Sequence, residues 1–582
     1  LQHSLSRPDQ RKLWHFHGGV HLPDEKALSN GGPVAPAALP RQLIIPLQQH
    51  IGAPAKAVVK VGERVLKGQK IGDGRGYVSA PVHASSSGTV VAIEKRPVPH
   101  PSGLSATCIV VETDGEDAWA ELPEPLSDYR SLDPAEIRDR IRWAGIVGMG
   151  GAAFPASVKL NPGSEQSIRT LVVNGAECEP YITCDDMLMR ERAGRILQGV
   201  RILRHLLGAG ECLIGVEDNK PEAIESLRAA LTDADIRAGT AVVSIPTLYP
   251  SGGEKQLIKI LTGKEVPSHG IPAQVGILCQ NVGTAAAIAD AVLDGRPLIS
   301  RTVTLTGRGV GRPQNLEVLI GTPAADLIEQ AGGIRGDIRK LVLGGPMMGF
   351  AIDDRRIPVT KASNCLLALT PAESPDPGPA LPCIRCGTCA EACPVSLLPQ
   401  QMYWYARAKD LDKVQDYNLF DCIECGCCAL VCPSHIPLVQ YYRYAKTESW
   451  AREQERRKAE HARQRHEARE ARLERLERER QAKLRQKKAA LAKKPAAGKR
   501  GAVGGPAGSD AQAAGGAGED PRKAAVEAAK RRAAERKAAA TGGEGGQPRG
   551  DRDPAPARKG QLEAADGRPP EASGAERASA RE

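Results

Sequence analysis

The sequence predicts a multidomain chain of mixed α/β and α+β class. Three observations carry that prediction. Glycine-punctuated β-rich runs come first, strands alternating with amphipathic helices follow, and two cysteine arrays stand in a short helical segment before a long charged tail. The expected parts are a barrel-sandwich β domain, a Rossmann-like α/β domain, a β-grasp-like unit, a helical domain organised by the cysteines, and a helical to disordered basic tail. A chain of 582 residues has room for about three or four such domains.

Residues 1–39 read as an N-terminal arm. Over 40–115, "AVVKVGERVLKGQKIG" and "GTVVAIEKR" alternate short apolar runs with glycine turns, as strands do. The half-and-half symmetry resembles the barrel-sandwich hybrid of lipoyl and biotinyl domains. Those domains present a modified lysine at a hairpin tip. Here the corresponding stretch is "APVHASSSG", with no lysine, so the architecture is expected without the swinging-arm chemistry.

Residues 130–298 read as strands alternating with helices. "RTLVVNG" and "ECLIGVED" are short buried-strand candidates, and "PEAIESLRAAL" is an amphipathic helix with Pro in its first turn. That alternation argues for an α/β layer. Residues 299–350 give strand, turn, strand and helix, a small β-grasp-like unit. "SPDPGP", residues 374–379, is a linker into the cysteine-bearing domain, 374–445.

That domain holds "CIRCGTCAEACP" at 383–394 and "CIECGCCALVCP" at 422–433. Cys383, Cys386, Cys389, Cys393 and Pro394 reappear 39 residues on as Cys422, Cys425, Cys428, Cys432 and Pro433. Three cysteines at three-residue steps can wrap one small object, and a fourth before Pro points away. This is the bacterial ferredoxin run, whose fourth cysteine ligates the other [4Fe–4S] cluster. Cys383, Cys386, Cys389 and Cys432 are expected to hold one cluster, and Cys422, Cys425, Cys428 and Cys393 the other. Zinc sites favour paired C-x2-C units, and disulfide frameworks suit short secreted chains. Cys427 stands one residue off the repeat register and is expected to be a neighbour, not a ligand. The aromatic stretches after each Pro read as short helices packing near the clusters.

The six cysteines outside this region are scattered, as in a reduced cytosolic protein. No apolar run approaches the roughly 18 residues that suggest a spanning helix, and no secretory signal is visible. The net charge of +10 belongs to the tail: residues 451–582 carry 33 Lys and Arg against 21 Asp and Glu, so the rest is about neutral. Residues 446–582 form a charged helix followed, from about 491, by an Ala/Gly/Pro-rich stretch expected to be disordered. The basic residues of 451–582 have no aromatics between them, so nucleic-acid binding is not expected.

Four turns remain. "GIVGMGGAAFPASVKL", 145–160, is a Gly-rich loop entering a helix, where exposed N–H groups can bind phosphate. "NGAECEPYITCDD", 174–186, puts Glu177 and Glu179 at a strand end, where ligands sit in open α/β sheets. "SGGEKQ", 251–256, is another Gly turn, and in "QNVGTAAAIADAV", 280–292, Asn281 and Thr284 open a helix. Taken singly, each also reads as an ordinary turn or cap.

In order, together with "FHGGVHLPDEKALSN", "IPLQQHIGAPA" and the doubled cysteine array, they resemble the C-subunit family of the Rnf (Rsx) ion-translocating electron-transport complexes. That family is related to the NADH/FMN-binding subunit of respiratory complex I. The resemblance covers about residues 14–445. It implies non-covalent FMN, NADH as substrate and two [4Fe–4S] clusters. It places the flavin-phosphate loop at Gly148, Gly150, Gly151, Phe154 and Lys159, with Phe154 stacking on the nicotinamide or adenine. The acidic contacts to flavin and nicotinamide nucleotide fall on Asn174, Glu177 and Glu179, and Glu179 is the candidate catalytic residue. Gly252, Gly253 and Glu254 match a second nucleotide turn, and Asn281 and Thr284 the last flavin contacts. This chain has "GGAAFP" where the family has "GGAGFP", and Ala153 is strained if its position needs φ > 0.

The resemblance implies a peripheral subunit on the cytoplasmic face of the bacterial inner membrane. It would pass electrons between NAD(H) and, indirectly, ferredoxin, docked on membrane-spanning and cluster-bearing subunits. The alternatives are an electron-transfer adaptor without flavin, and a reductase subunit that keeps a redox-sensing transcription factor reduced.

Overall fold

The computed structural model describes residues 11–163, 166–376 and 378–492. The chain divides into two units, Leu1–Arg475 and Leu476–Glu582. The stretch expected to be disordered, from about 491, lies almost wholly outside the described residues.

Residues 40–115 form two small antiparallel sheets. One runs Gln42–Pro46, Ser105–Thr113, Gly88–Pro97 and Arg64–Val65 in spatial order. The other is Lys56–Ala57, Lys70–Asp73 and Val82–His83. One apolar core, with Leu43, Ile45, Ile71, Val82, Val90 and Ile109, joins them. Residues 79–88 are buried throughout, and Ser86 and Ser87 donate to Asp117 and Asp114 at 2.7 and 2.6 Å. The stretch where a lipoyl-type domain presents its lysine is therefore packed away here.

The α/β domain is built on four parallel strands: β1 (Thr170–Asn174), β2 (Glu211–Glu217), β3 (Thr240–Ile245) and β4 (Ile277–Asn281). Their order is β3-β2-β1-β4. The chain steps outward from β1 to β3, then returns to place β4 on the other side of β1. Ligands in open α/β sheets bind at such a reversal, beyond the strands' carboxyl ends. Alternation along the strands supplies both faces. Leu171 and Val173 belong to one core and Val172 to the other. Helices α1 (Cys184–Leu207) and α3 (Val282–Leu293) share the first core, and α2 (Glu254–Thr262) covers the second. Helices α1 and α3 cross closely at Gly199, where a Cβ would sit 1.8 Å from the Ala285 carbonyl oxygen.

The unit expected at 299–350 is larger than the sequence suggested. Its six-stranded sheet runs Ala35–Pro36, Gln314–Leu319, Ser300–Thr306, Cys365–Leu369, Lys340–Leu343, Phe350–Ala351. The later strand, Cys365–Leu369, is buried at every residue and lies mid-sheet. The N-terminal arm supplies an edge strand. Helix Ala324–Gln330 packs into the same core.

The cysteine-bearing domain repeats its backbone as well as its sequence. Arg385 and Glu424 both have φ 58, Gly387 and Gly426 both 86, and Ser396 and His435 have 53 and 51. Each pair is one repeat apart, so the two loops wind the same way through the same left-handed positions. The domain's last helix, Leu438–Ala492, buries Leu438, Val439, Tyr442 and Ala445. From 454 to 492 every residue is exposed, and Arg457 pairs with Glu453 at 2.7 Å. No described helix is long and apolar enough to cross a membrane.

Candidate cofactor and cluster sites

The register places Asn174, the last residue of β1, directly beside Asn281, the last of β4. The Gly-rich loop closes over this point. Gly148 N–H donates to the Phe154 carbonyl at 2.8 Å and folds the loop back on itself. A Cβ on Gly150 would lie 3.5 Å from the Asn281 side chain, whereas one on Gly151 (φ 103) would meet no atom within 4 Å. Gly150, Gly151 and Ala152 are exposed, and among the described residues their N–H groups have no protein acceptor. Three successive free donors beside a strand end fit an anionic group. Ala153 takes φ 48, the left-handed region where its Cβ is strained. Phe154 is half-buried.

Most of the other sequence-predicted residues build this crevice. Asn281 caps α3, accepting from Gly283 and Thr284 N–H at 2.8 and 3.4 Å, and its amide donates to Asp185 at 2.6 Å. Thr284 is fully buried and its hydroxyl accepts from Met149 N–H at 2.9 Å. It holds the loop from below. Asn174 donates to the Gly252 carbonyl at 2.8 Å. Gly252 must be small: a Cβ there would come within 2.9 Å of Cys178 Sγ. Gly253 opens α2, and Glu254 in its first turn pairs with Lys159 at 2.7 Å. Lys159 is therefore already matched by a carboxylate.

The acidic segment is held by the protein's own backbone donors. Glu177 (φ 50) accepts from Asp185 and Asp186 N–H at 2.7 and 3.1 Å and so caps α1. Burial and the neighbouring Glu177 push Asp185 up to about 7. Glu179 turns the other way, accepting from Met347 and Met348 N–H at 3.1 and 2.7 Å. Gly345 makes room for it, since a Cβ there would lie 2.2 Å from its carboxylate. Its carboxylate is engaged by the loop of the neighbouring unit. Beneath both lies Lys26 of the arm, 4 % exposed. Its ammonium donates to the carbonyls of Glu177, Glu179 and Ile182 at 2.9, 3.0 and 2.6 Å. Sequence reasoning does not reach Lys26 or Asp185. A lone Lys in a polar arm reads as solvated, and the first Asp of "CDD" reads as an ordinary residue of a helix's first turn.

Desolvation holds Glu179 up at about 7, against its usual 4.5. A raised folded value makes the proton's contribution to stability complete below the unfolded value and lost as pH rises through the folded one. Stability should therefore fall between about pH 4.5 and 7. Glu179→Gln should flatten that part of a melting-temperature profile; an unchanged slope would assign the fall elsewhere.

The cysteines line two cavities. Cys393, Cys422, Cys425 and Cys428 surround one, with Met402 and Tyr442. Cys383, Cys386, Cys389 and Cys432 surround the other, with Tyr403 and Ile436. Each cavity thus mixes three thiols of one array with the fourth of the other, an all-thiol donor set suited to an iron–sulfur cluster. Cys427 is fully buried and lines neither. Cys427→Ala should keep full iron content on anaerobic assay, while Cys428→Ala should not; iron loss in the former would make Cys427 a ligand. The first cavity adjoins the α/β domain. Tyr249 Oη donates to the Cys425 carbonyl at 2.7 Å, and Tyr249, Cys425 and Cys427 share a buried cluster with Cys178 and Met347 packed against it.

Residues 14–116 match the family described as the RnfC barrel sandwich hybrid domain, and 141–290 the Nuo51 FMN-binding domain. Residues 302–351 match the SLBB domain and 379–436 the 4Fe-4S dicluster domain. That order places a match to an FMN-binding domain ahead of a match to a 4Fe-4S dicluster domain in one chain.

The chain is homologous to the C-subunits of ion-translocating oxidoreductase complexes. It is 53% identical over 406 residues to the C-subunit from Pseudomonas aeruginosa, covering 70% of this chain and 52% of the relative. With the Klebsiella pneumoniae protein of the same name the identity is 48% over 481 residues, 83% of this chain and 62% of the relative. The chain thus spans about half to three-fifths of these curated relatives. An NAD+-reducing [NiFe]-hydrogenase in the H2-reduced state aligns at TM-score 0.39 and 19% identity, over 56% of this chain and 66% of that one.

Proposed function

We propose that the chain is the NADH- and FMN-binding subunit of a membrane-bound ion-translocating complex, passing electrons between NAD(H) and ferredoxin through two [4Fe–4S] clusters. One observation carries the reading: the N–H groups of Gly150, Gly151 and Ala152, in the loop beside the β1/β4 reversal, have no acceptor among the described residues, in the same unit as two four-thiol cavities. When bound, FMN would supply the exchange between a two-electron hydride donor and one-electron carriers.

The chain's own residues do the holding. The 148–152 loop binds the flavin phosphate, with Lys159 near it through its pair with Glu254. Asn174, Asn281 and the Gly252–Gly253 turn shape the floor, and Thr284 fixes the loop from beneath. Phe154 sits where it can stack on the nicotinamide nucleotide. Glu177 and Glu179, drawn onto Lys26, keep the acidic segment at the crevice edge. Cys383, Cys386, Cys389 and Cys432 hold one cluster, and Cys422, Cys425, Cys428 and Cys393 the other. The subunit docks peripherally, on the cytoplasmic face of the inner membrane, against membrane-spanning and cluster-bearing partners.

Ala153 at φ 48 favours a second reading, an electron-transfer adaptor without flavin. Anaerobic titration decides between them. Protein reconstituted with FMN, iron and sulfide should bleach at the flavin band on adding NADH, then at the cluster band. Protein that takes up clusters but no FMN is the adaptor.

A further inference from the structure

Two buried cations stand behind the Gly-rich loop, and neither comes from the α/β domain. Arg301, 4 % exposed, lies on strand Ser300–Thr306, and Lys361, 1 % exposed, on the segment leading to Cys365. Arg301 donates to the Met149 carbonyl at 3.1 Å and the Lys361 carbonyl at 2.5 Å. Lys361 donates its ammonium to the Gly145 carbonyl at 2.6 Å and to the Pro81 carbonyl of the barrel at 3.0 Å. Among the described residues neither forms an ion pair with a carboxylate; their acceptors are all main-chain carbonyls. Burying such groups is expensive: desolvation lowers the Lys361 ammonium to about 7, Arg301 lies within the field of the Asp185 carboxylate, and here both converge on one loop.

Their placement aims the loop. A trans peptide points its C=O and its N–H in opposite directions. With the Met149 carbonyl drawn back onto Arg301, the N–H of Gly150 in the same peptide unit is turned outward. Among the described residues that N–H has no acceptor, nor have those of Gly151 and Ala152. The loop thus presents donors on its open side and cations on its closed side, both favouring an anion at its mouth. The ordinary phosphate lysine, Lys159, is matched by Glu254, so the further basic groups at this loop stand behind it.

We propose that Arg301 and Lys361 set the preference of this site for a phosphorylated flavin over riboflavin, acting through the loop without touching the ligand. The inference rests on the FMN reading and deepens it. They are positioning and electrostatic residues, not catalytic ones. If they only weld the domains together, removing either charge should weaken both flavins alike, because the isoalloxazine and ribityl contacts would suffer with the phosphate.

The experiment measures dissociation constants for FMN and riboflavin, by flavin fluorescence, on full-length wild type, Lys361→Met, Arg301→Met and Arg301→Lys. Wild type should prefer FMN by about tenfold or more, the scale of a charge-assisted contact. Lys361→Met and Arg301→Met should each lose at least about tenfold for FMN and less than about threefold for riboflavin. Arg301→Lys, which keeps the charge, should hold the wild-type ratio within about threefold. Parallel loss of both flavins in the methionine variants overturns the proposal. Should neither variant fold, wild type alone decides, since equal affinity for the two flavins also overturns it. Wild type that binds neither flavin sinks the FMN reading itself, a distinguishable result.

Discussion

Cys393→Ser should cost the protein about half its iron, and the cluster that disappears should be the one held by the array Cys393 does not belong to. Cys393 closes the first array in sequence, yet lines the cavity of Cys422, Cys425 and Cys428. EPR of the reduced variant should keep the signal of the site formed by Cys383, Cys386, Cys389 and Cys432, and lose the other. Iron and sulfide should fall together. Survival of the second-array signal with loss of the first would mean each array ligates alone. The effect should be large because the first cavity is mostly sealed, with Cys425 and Cys428 buried, so water cannot readily replace the missing thiolate.

Gly151→Val should leave the fold standing and take FMN away. At φ 103, the new Cβ has no described protein atom within 4 Å. It strains the backbone by about 1–3 kcal/mol and occupies the mouth of the loop. Losing one or two donors to a charged phosphate is worth roughly 1.5–3 kcal/mol each, so affinity should fall by about one to four decades. The melting temperature of the flavin-free protein should move only a few degrees. Unchanged FMN affinity would place the phosphate elsewhere. Gly199→Val is the contrasting control. There the intrusion, at 1.8 Å from Ala285, is wholly internal, and the fold itself should fail.

Local chemistry was legible and long-range geometry was not. The cysteine spacing announced two thiol-lined cavities, each with the fourth cysteine of the other array in its lining, because a proline-terminated run constrains a loop by itself. The alternation of strands and helices pointed to the α/β layer. What no spacing states is that β4 returns beside β1, bringing Asn281 against Asn174. The strand Cys365–Leu369 was overlooked because one short buried run far from its partners has no local signature. The resemblance implies a nucleotide contact for Glu179, but no local pattern states which protein groups hold its carboxylate. Its partners, Met347 and Met348, lie 168 and 169 residues away, on a loop whose only sequence trace is a pair of glycines. Ala153 is the opposite case, since the positive φ that would make it awkward was stated from the motif and is present.

The N-terminal arm has a consequence for how the chain is made. Trp14 bonds to Ile260, His17 to the Cys393 carbonyl, Gly19 to Ala392, Lys26 to the 177–182 turn, and Ala35–Pro36 to the strand Gln314–Leu319. The contact from His17 spans 376 positions. Domains fold in order as the ribosome delivers them, so the arm emerges hundreds of residues before its last partners exist. Its contacts to 177–182, Ile260 and 314–319 become available in turn, while those of His17 and Gly19 wait for the cysteine-bearing domain. A nascent chain halted before Ala392 should be protease-sensitive around His17–Gly19, and the release of the cysteine-bearing domain should be what ties that stretch down. The first described segment of the protein is in that sense a latch on the completed molecule, closed only after the metal-binding end has arrived.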